Sequence, residues 1–258
     1  MCRLVAYQGS SLPLERIVFG GTHSLYRQSW APEELLSGSV NVDGWGVSWW
    51  PPGTERPVRL ARAEPIWFDP DLPRLLSTLS AGRVLAALRN TTPGLPVDRT
   101  GLLPITRDRW AFALNGYVPA FRARHMRGLR AHLSDGHYAR LEGVSDAETL
   151  FHLVLTSMAS GEDPATALVT VRDLVQARLG SSETAPLTMV LSGPEEVTAL
   201  HTAVNGAVNS LYLLERSGMA ADGMLLASER LDESDAWRRV PDHAVVRMRQ
   251  GSAEVALL

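Results

Sequence analysis

The order in which hydrophobic periodicities follow one another constrains this chain most. Apolar runs of strand length come at Arg3 to Gln8, Asp43 to Trp50, Val84 to Arg89 and Trp110 to Leu114. Pro51-Pro52-Gly53 closes the second of them. Between and after these runs the spacing turns helical, in Leu72 to Leu79 and Ala120 to Leu133. Ser145-Asp146-Ala147-Glu148 reads as a capping box that opens a long helix through His152 and Leu155, and Asp163 with Pro164 opens another that runs to Leu179. From Leu187 onward the strand pattern returns at Leu187–Leu191, Val197–His201, Leu211–Leu214, Met224–Ala227, Ala244–Met248 and Glu254–Leu257. Strands, then two helices, then strands predict an α+β fold in which antiparallel sheets are covered by helices. No internal repeat and no linker long enough to separate domains interrupts this order, so residues 2–258 are expected to form a single domain.

With 258 residues the chain can bury a core without disulfide or metal staples. Cys2 is its single cysteine, which excludes an internal disulfide framework and makes a reducing cytoplasm the expected compartment. The N-terminal stretch lacks the charged-then-apolar layout of a secretory signal, and no apolar run approaches the ~18 residues of a membrane span. A formal net charge of −3 gives no electrostatic reason to expect nucleic acid or an anionic membrane as partner. All 25 basic residues other than histidine are arginine, and the missing lysine excludes Schiff-base chemistry, pyridoxal phosphate attachment and a Walker-type phosphate loop. The 7 histidines are scattered, with no HExxH and no cysteine pair, so neither a metal site nor a cofactor is expected.

Cys2 sits directly behind Met1, so loss of that one residue leaves a thiol and a free α-amino group on the same residue. An α-amino group titrates near pH ~8 and a thiol near ~8.5, so the amine can take the sulfur's proton without help from a histidine. Read alone, such a cysteine is equally a small buried hydrophobe. Arg89 stands where an apolar strand meets the polar stretch Asn90-Thr91-Thr92, placed either to hold a carboxylate in two parallel hydrogen bonds or to make a surface salt bridge. Asn115-Gly116 is a donor pair for an oxyanion, or a hairpin turn. Asp146 can accept from an ammonium, or serve only the helix dipole. Asp43-Gly44-Trp45-Gly46 suggests close backbone approach near a pocket, or a strand bulge.

Taken in chain order, Met1-Cys2-Arg3, Asp43-Gly44-Trp45-Gly46, Arg89 with Thr92, Asn115-Gly116 and Ser145-Asp146 resemble the class II glutamine amidotransferases, which are N-terminal nucleophile hydrolases. The joint pattern is far more specific than any member of it. The resemblance implies a four-layer α-β-β-α sandwich with two antiparallel sheets packed face to face. It implies that Cys2 is the nucleophile once Met1 is removed, with its own amine as general base and later acid. Asn115, through its side chain, and Gly116, through its backbone N–H, would form the oxyanion hole. Arg89 would take the α-carboxylate of a glutamyl group and Asp146 its α-ammonium, with Thr92 and Trp45 completing the substrate-binding set.

Within that family, His23-Ser24-Leu25 with Gln28-Ser29, Asn41 to Gly46, Glu64 to Trp67, Ala227-Ser228-Glu229 and Trp237 to Asp242 are similar to the subfamily that hydrolyses γ-glutamyl hercynylcysteine sulfoxide in ergothioneine biosynthesis. The implied reaction is thiolate attack on a γ-glutamyl amide, departure of the amine, and release of glutamate by water. Alternatives at this point are a glutaminase feeding ammonia to a separate synthase subunit, a hydrolase of another γ-glutamyl metabolite, and a binding protein without catalysis. The partner is a small γ-glutamyl molecule in the first case, and homo-oligomerisation is left open. Two positions depart from the pattern: Leu114 stands where relatives usually have histidine, and Arg230 where the subfamily usually has proline. Both flank the expected pocket, which leaves the amine-side substrate open. A trimethylammonium on that side would favour an aromatic wall, for which Trp30, Trp45 and Trp67 are the candidates.

Overall fold

Successive residues at the start of the chain enter two different cores, which happens only to a strand covered on both faces. Leu4 and Ala6 share one buried cluster with Cys2, while Val5 and Tyr7 belong to another. The structure, a computed structural model, describes residues 2–258 apart from Ser37, Ser39 and Pro93; Met1, whose removal the sequence predicts, lies outside the described residues.

That first strand, β1 (Arg3–Pro13), pairs antiparallel on one side with β4 (Ser80–Leu88) and on the other with β10 (Met224–Ala227). Around them β2 (Trp45–Trp49), β3 (Val58–Arg62), β9 (Tyr212–Glu215) and β11 (Arg238–Arg239) complete a sheet in the order β11-β9-β10-β1-β4-β2-β3. A second sheet runs β13-β12-β8-β7-β6-β5, from β5 (Ile105–Arg107), β6 (Trp110–Gly116), β7 (Ala185–Ser192), β8 (Glu196–Val204), β12 (Ala244–Arg249) and β13 (Ser252–Leu257). Among the described residues the two sheets therefore hold seven and six strands, with antiparallel pairing throughout.

Helices close the two outer faces. α1 (Leu14–Val18) and α3 (Leu72–Ser77) bury Leu14, Ile17, Val18, Leu72 and Leu76 against Val5, Tyr7, Val84 and Ala86 of the first sheet. α6 (Asp146–Ala159) and α7 (Pro164–Arg178) cover the second, where Phe151 stacks on Phe112 of β6 with ring centroids 5.2 Å apart. Shorter turns of helix, α2 (Leu25–Gln28), α4 (Met126–Arg130) and α5 (Asp135–Tyr138), sit in the connections. The four-layer α+β arrangement expected from the sequence is the one observed.

Local signals explain the helix starts, with one correction. The Ser145 hydroxyl accepts from the Glu148 N–H at 3.1 Å, and Asp163 accepts from the Ala165 N–H at 3.0 Å. The Glu148 carboxylate does not return to Ser145 as a capping box requires. It takes the N–H groups of Glu142 and Gly143, at 2.7 and 2.9 Å, and so fastens the preceding loop instead. The single helix expected from Ala120 to Leu133 is a π-helical wind, Phe121–His125, entered through Ala120 at φ 46 and followed by α4. This wind turns His125 inward, where its Nε2 lies 3.1 Å from Glu183. Asn115 and Gly116 are not a turn: they pair with Thr188 and Leu187 inside the sheet. No described helix is long and apolar enough to cross a membrane.

The Phe112–Phe151 stack welds α6, and with it Asp146, to the second sheet. Phe112→Ala is expected to cost about 3–5 kcal/mol through loss of buried area and the cavity left behind. Urea denaturation checks it, with a lowered midpoint and an unchanged slope as the expected result.

Candidate active site

Four element ends meet at one corner of the sandwich. Cys2 precedes β1, Arg89 and Asn90 follow β4, Gly116 ends β6, and Asp146 begins α6. Because Arg3 pairs with Leu88, the antiparallel register sets Cys2 beside the chain that leaves β4. Cys2, Arg89, Asn90, Thr92, Leu114, Gly116 and Asp146 line one small cavity, and no histidine is among its lining residues.

The Cys2 sulfur faces the Asn90 carbonyl oxygen at 3.7 Å. Burial pushes the thiol's pKa up; the positive charge of the chain's N-terminus, the Asn90 contact and Arg89 pull against this, and Asp146 pushes the same way as burial. The sulfur thus lies buried in the cavity, with burial the largest influence on its pKa.

Arg89 is 4% exposed and has no carboxylate within ion-pair distance among the described residues. Among the described residues its Nη2 donates only a long bond to the Pro96 carbonyl, 3.4 Å, and its Nη1 has no partner. A side chain on Gly101 would run into this guanidinium, so that glycine makes the room Arg89 occupies. A buried cation left so open is costly unless an anion joins it. Asp146, equally buried, is better provided for: it accepts from the Thr92 hydroxyl at 3.0 Å, the Val118 N–H at 3.1 Å and the Ala147 N–H at 2.9 Å. Burial raises its pKa, opposed by those three donors and by Arg89. One cavity thus presents a cation and an anion that are not paired with each other, the complement of an amino-acid end group.

Asn115 lies on the face of β6 opposite Phe112, and so points between the sheets. Its side-chain amide is buried with neither nitrogen nor oxygen bonded among the described residues, and it is not one of the residues that line the cavity, while its backbone carbonyl is held by Asn209 Nδ2 at 2.8 Å. A Cβ at residue 116 would collide with the Pro186 carbonyl oxygen, so the neighbouring strand tolerates only glycine there.

The Asp43-Gly44-Trp45-Gly46 segment acts through the backbone. Asp43 accepts from the Thr91 N–H at 2.7 Å, and Arg89 N–H donates to the Gly44 carbonyl at 2.7 Å. Gly44, at φ +139, lets Leu102 pack where a side chain would stand, and Gly46 does the same for the Leu103 carbonyl. Trp45 itself is 1% exposed and belongs with Val5 and Leu88 to the helix-side core, on the face of the sheet opposite Cys2, so it is not brought to the cavity. Trp30 and Trp67 pack edge to face at 5.9 Å, also away from its lining. Asn90, Gly101 and Asn209 went unread in the sequence. Asn90 adjoins a residue the sequence singles out, whereas Gly101 and Asn209 carry no local signal at all.

A larger cleft, about 610 Å³, opens at the other end of β1 between Gln8, Trp50, Arg83 and Glu195. It is roughly 20 Å along the strand from Cys2 and holds none of this chemistry.

No family model matches the chain. A gamma-glutamyl-hercynylcysteine sulfoxide hydrolase from Mycobacterium tuberculosis (strain CDC 1551 / Oshkosh) is 28% identical over 258 residues, covering 100% of this chain and 97% of the relative. One of the same name from Mycolicibacterium smegmatis is 26% identical over 259 residues, covering both chains completely. Among solved structures, a glutamine aminotransferase class-II domain protein from Silicibacter pomeroyi aligns over 100% of this chain and 99% of its own, with a TM-score of 0.73 at 20% identity. Glutamine phosphoribosylpyrophosphate amidotransferase from B. subtilis aligns over 100% of this chain and 49% of its own, with a TM-score of 0.60 at 15% identity. This chain has the class II glutamine amidotransferase fold. The corner of this amidotransferase fold where β1, β4, β6 and α6 end is the corner where the cavity lies.

Thr92 tunes the amidotransferase-fold cavity through one hydroxyl. Thr92→Val removes a donor to the ionised Asp146 while leaving burial in place, so the Asp146 pKa is expected to rise further. A carboxyl ¹³C NMR titration of wild type and variant reads it, and an unmoved Asp146 resonance would contradict the assignment.

Proposed function

We propose that this chain is an N-terminal cysteine amidohydrolase that cleaves the γ-glutamyl amide bond of γ-glutamyl hercynylcysteine sulfoxide and releases glutamate. The observation that carries the reading is the unpaired buried Arg89 cation sharing a cavity with the Asp146 carboxylate and the Cys2 thiol. The two full-length relatives named for hydrolysis of that compound support its substrate. Residues 2–258 would work as one unit after loss of Met1, in the reducing cytoplasm that a free catalytic thiol favours.

In this mechanism Arg89 holds the α-carboxylate of the glutamyl group in two parallel bonds and Asp146 its α-ammonium. That grip fixes the γ-carbonyl over the sulfur. The α-amino group of Cys2 takes the thiol proton as the sulfur attacks, which suits a thiol whose burial keeps it protonated until the substrate arrives. Negative charge then develops on the carbonyl oxygen. The Asn115 amide nitrogen, buried and without a partner at rest, and the Gly116 N–H receive it. As the tetrahedral intermediate collapses, the ammonium of Cys2 returns its proton to the departing amine, leaving a glutamyl thioester. Water attacks the thioester, with the same amine as base, and glutamate leaves with the thiol restored.

Cys2→Ala is expected to fold normally and lose at least about a thousandfold in turnover. Asn115→Ala is expected to lower kcat by about 10²–10³ with KM little changed, because the amide serves the transition state. Both are read by glutamate release from γ-glutamyl hercynylcysteine sulfoxide, with L-glutamine as the comparison substrate. The larger amide should be preferred by orders of magnitude, and a mature chain that keeps Met1 by intact-mass measurement would remove the base.

The pH profile follows from Asp146. Only its ionised form holds an ammonium, and its pKa is raised, so capture is lost as pH falls through a value above the ordinary 3.8 of an aspartate. The acid limb of kcat/KM should contain this ionisation, and Asp146→Asn should lower kcat/KM while abolishing that component.

A further inference from the structure

The face of β1 that carries Cys2 reaches Gln8 at its far end, in the larger of the clefts described above. Gln8 pairs in register with Arg83 of β4, and Trp50 N–H donates to the Arg83 carbonyl at 3.3 Å, so Gln8, Arg83 and Trp50 stand side by side on neighbouring segments of the first sheet. The period of two puts them on one face with Leu4, Ala6, Leu85 and Ala87, the face that looks toward the second sheet. Glu195, in the turn between β7 and β8, and Gln250 and Gly251, in the turn between β12 and β13, line the cleft from that second sheet. The Gln8 amide nitrogen donates to the Glu195 carbonyl at 3.1 Å and ties the sheets together there. A volume of about 610 Å³ lies within the range of small-molecule sites.

The floor of this cleft is polar and short of partners. Gln8 and Trp50 are 5% and 6% exposed, yet Gln8 Oε1 and Trp50 Nε1 have no hydrogen-bond partner among the described residues, and neither has Arg83 Nε. Arg83 lays its guanidinium over the Trp50 ring, its central carbon 5.5 Å from the ring's centre, and no carboxylate lies within ion-pair distance of it among the described residues. Buried donors and acceptors left open cost stability unless another molecule meets them. The rim has the opposite sign. Glu195 and Asp222 are exposed there; Asp222 accepts from the Ser10 N–H at 3.3 Å, and the Glu195 carboxylate opposes the burial that pulls the Arg83 pKa down. Gly9, Gly82 and Gly223 complete the wall and put no side chain into the space.

We infer that this cleft is a second binding site, remote from Cys2, for a small zwitterion of amino-acid or dipeptide size, with its carboxylate on Arg83 and Trp50 Nε1 and its ammonium at Glu195 and Asp222. A guanidinium stacked on an aromatic ring keeps its in-plane N–H donors free for a carboxylate. A bare anion meets the acidic rim before it reaches Arg83, and a bare cation finds no partner on the floor. Only a molecule carrying both charges is matched at both ends. Gln8 Oε1 is left to accept from an N–H of the same ligand. The site stands about 20 Å along β1 from Cys2 and does not depend on the γ-glutamyl reading.

The test follows the Trp50 indole N–H in ¹H–¹⁵N spectra of the full chain, its signal identified by its loss in Trp50→Phe. L-alanyl-L-alanine is titrated beside N-acetyl-L-alanyl-L-alanine, which lacks the ammonium, and L-alanyl-L-alaninamide, which lacks the carboxylate. The free dipeptide should move the signal to saturation, and each blocked compound should bind at least about tenfold more weakly, the size expected of a lost charge-assisted contact. Arg83→Gln should weaken the dipeptide by about tenfold, and Glu195→Gln with Asp222→Asn should erase its advantage over the acetylated compound. Thermal melts establish that each variant is folded. No saturable shift, equal binding of all three compounds by the wild type, or an unchanged dipeptide affinity in Arg83→Gln overturns the inference. An acetylated dipeptide that binds as tightly as the free one marks a simple anion site and overturns it too. Each of these outcomes leaves hydrolysis at Cys2 standing.

Discussion

The position of everything at the corner that holds the cavity depends on how the first strand is fastened. Arg3, fully buried, pairs with Glu229, and the Glu229 carboxylate also faces His23 Nε2 at 2.6 Å and takes the N–H groups of Glu33 and Glu34 at 2.9 and 3.1 Å. Burial pushes that carboxyl up, but His23, Arg3 and the two amides outweigh it and hold it below the usual range. Such a buried ion pair adds little net stability over an apolar pair, yet losing one partner strands a charge at a cost of about 3–5 kcal/mol. Its effect is geometric: it fixes the residue after Cys2 to the segment that follows β10 and to the loop carrying Glu33 and Glu34.

The cavity next to this anchor is electrostatically unfinished. Asp146 is solvated by three protein donors, whereas among the described residues the Arg89 guanidinium has only one long contact; the neighbouring Asn115 side chain, buried but not among the cavity's lining residues, has none. Buried donors left without partners cost stability at rest and need little reorganisation when charge appears beside them. Gly101 and Gly116 are part of that arrangement, one leaving space for the guanidinium and the other for close approach of β7.

Much of this was legible in the sequence because the signals were local. Ser145 and Asp163 mark helix starts through bonds to their own neighbours, and the alternation Leu4/Val5/Ala6/Tyr7 follows from a strand buried on both faces. Cys2, Arg89, Thr92, Gly116 and Asp146 could be picked out by type and order, and the fold does bring them to one cavity. What escaped was non-local. Trp45 sits in a motif that borders the site, but the period of two points its ring to the other core. Gly101 is constrained by Arg89, twelve residues away in sequence, and Asn209 by the Asn115 carbonyl across the fold. The Glu148 carboxylate chose loop amides over its capping partner because the chain before α6 doubles back onto it.

The burial of the Cys2 sulfur, which pushes its pKa up, bears on how it meets reactive molecules. Peroxides and alkylating agents react with thiolate, so a group kept as S–H behind Asn90 is a poor target for them. A protein with only one cysteine has no second thiol of its own to rescue the first by forming a disulfide. Burial thus shields the chain's single thiol from such reagents.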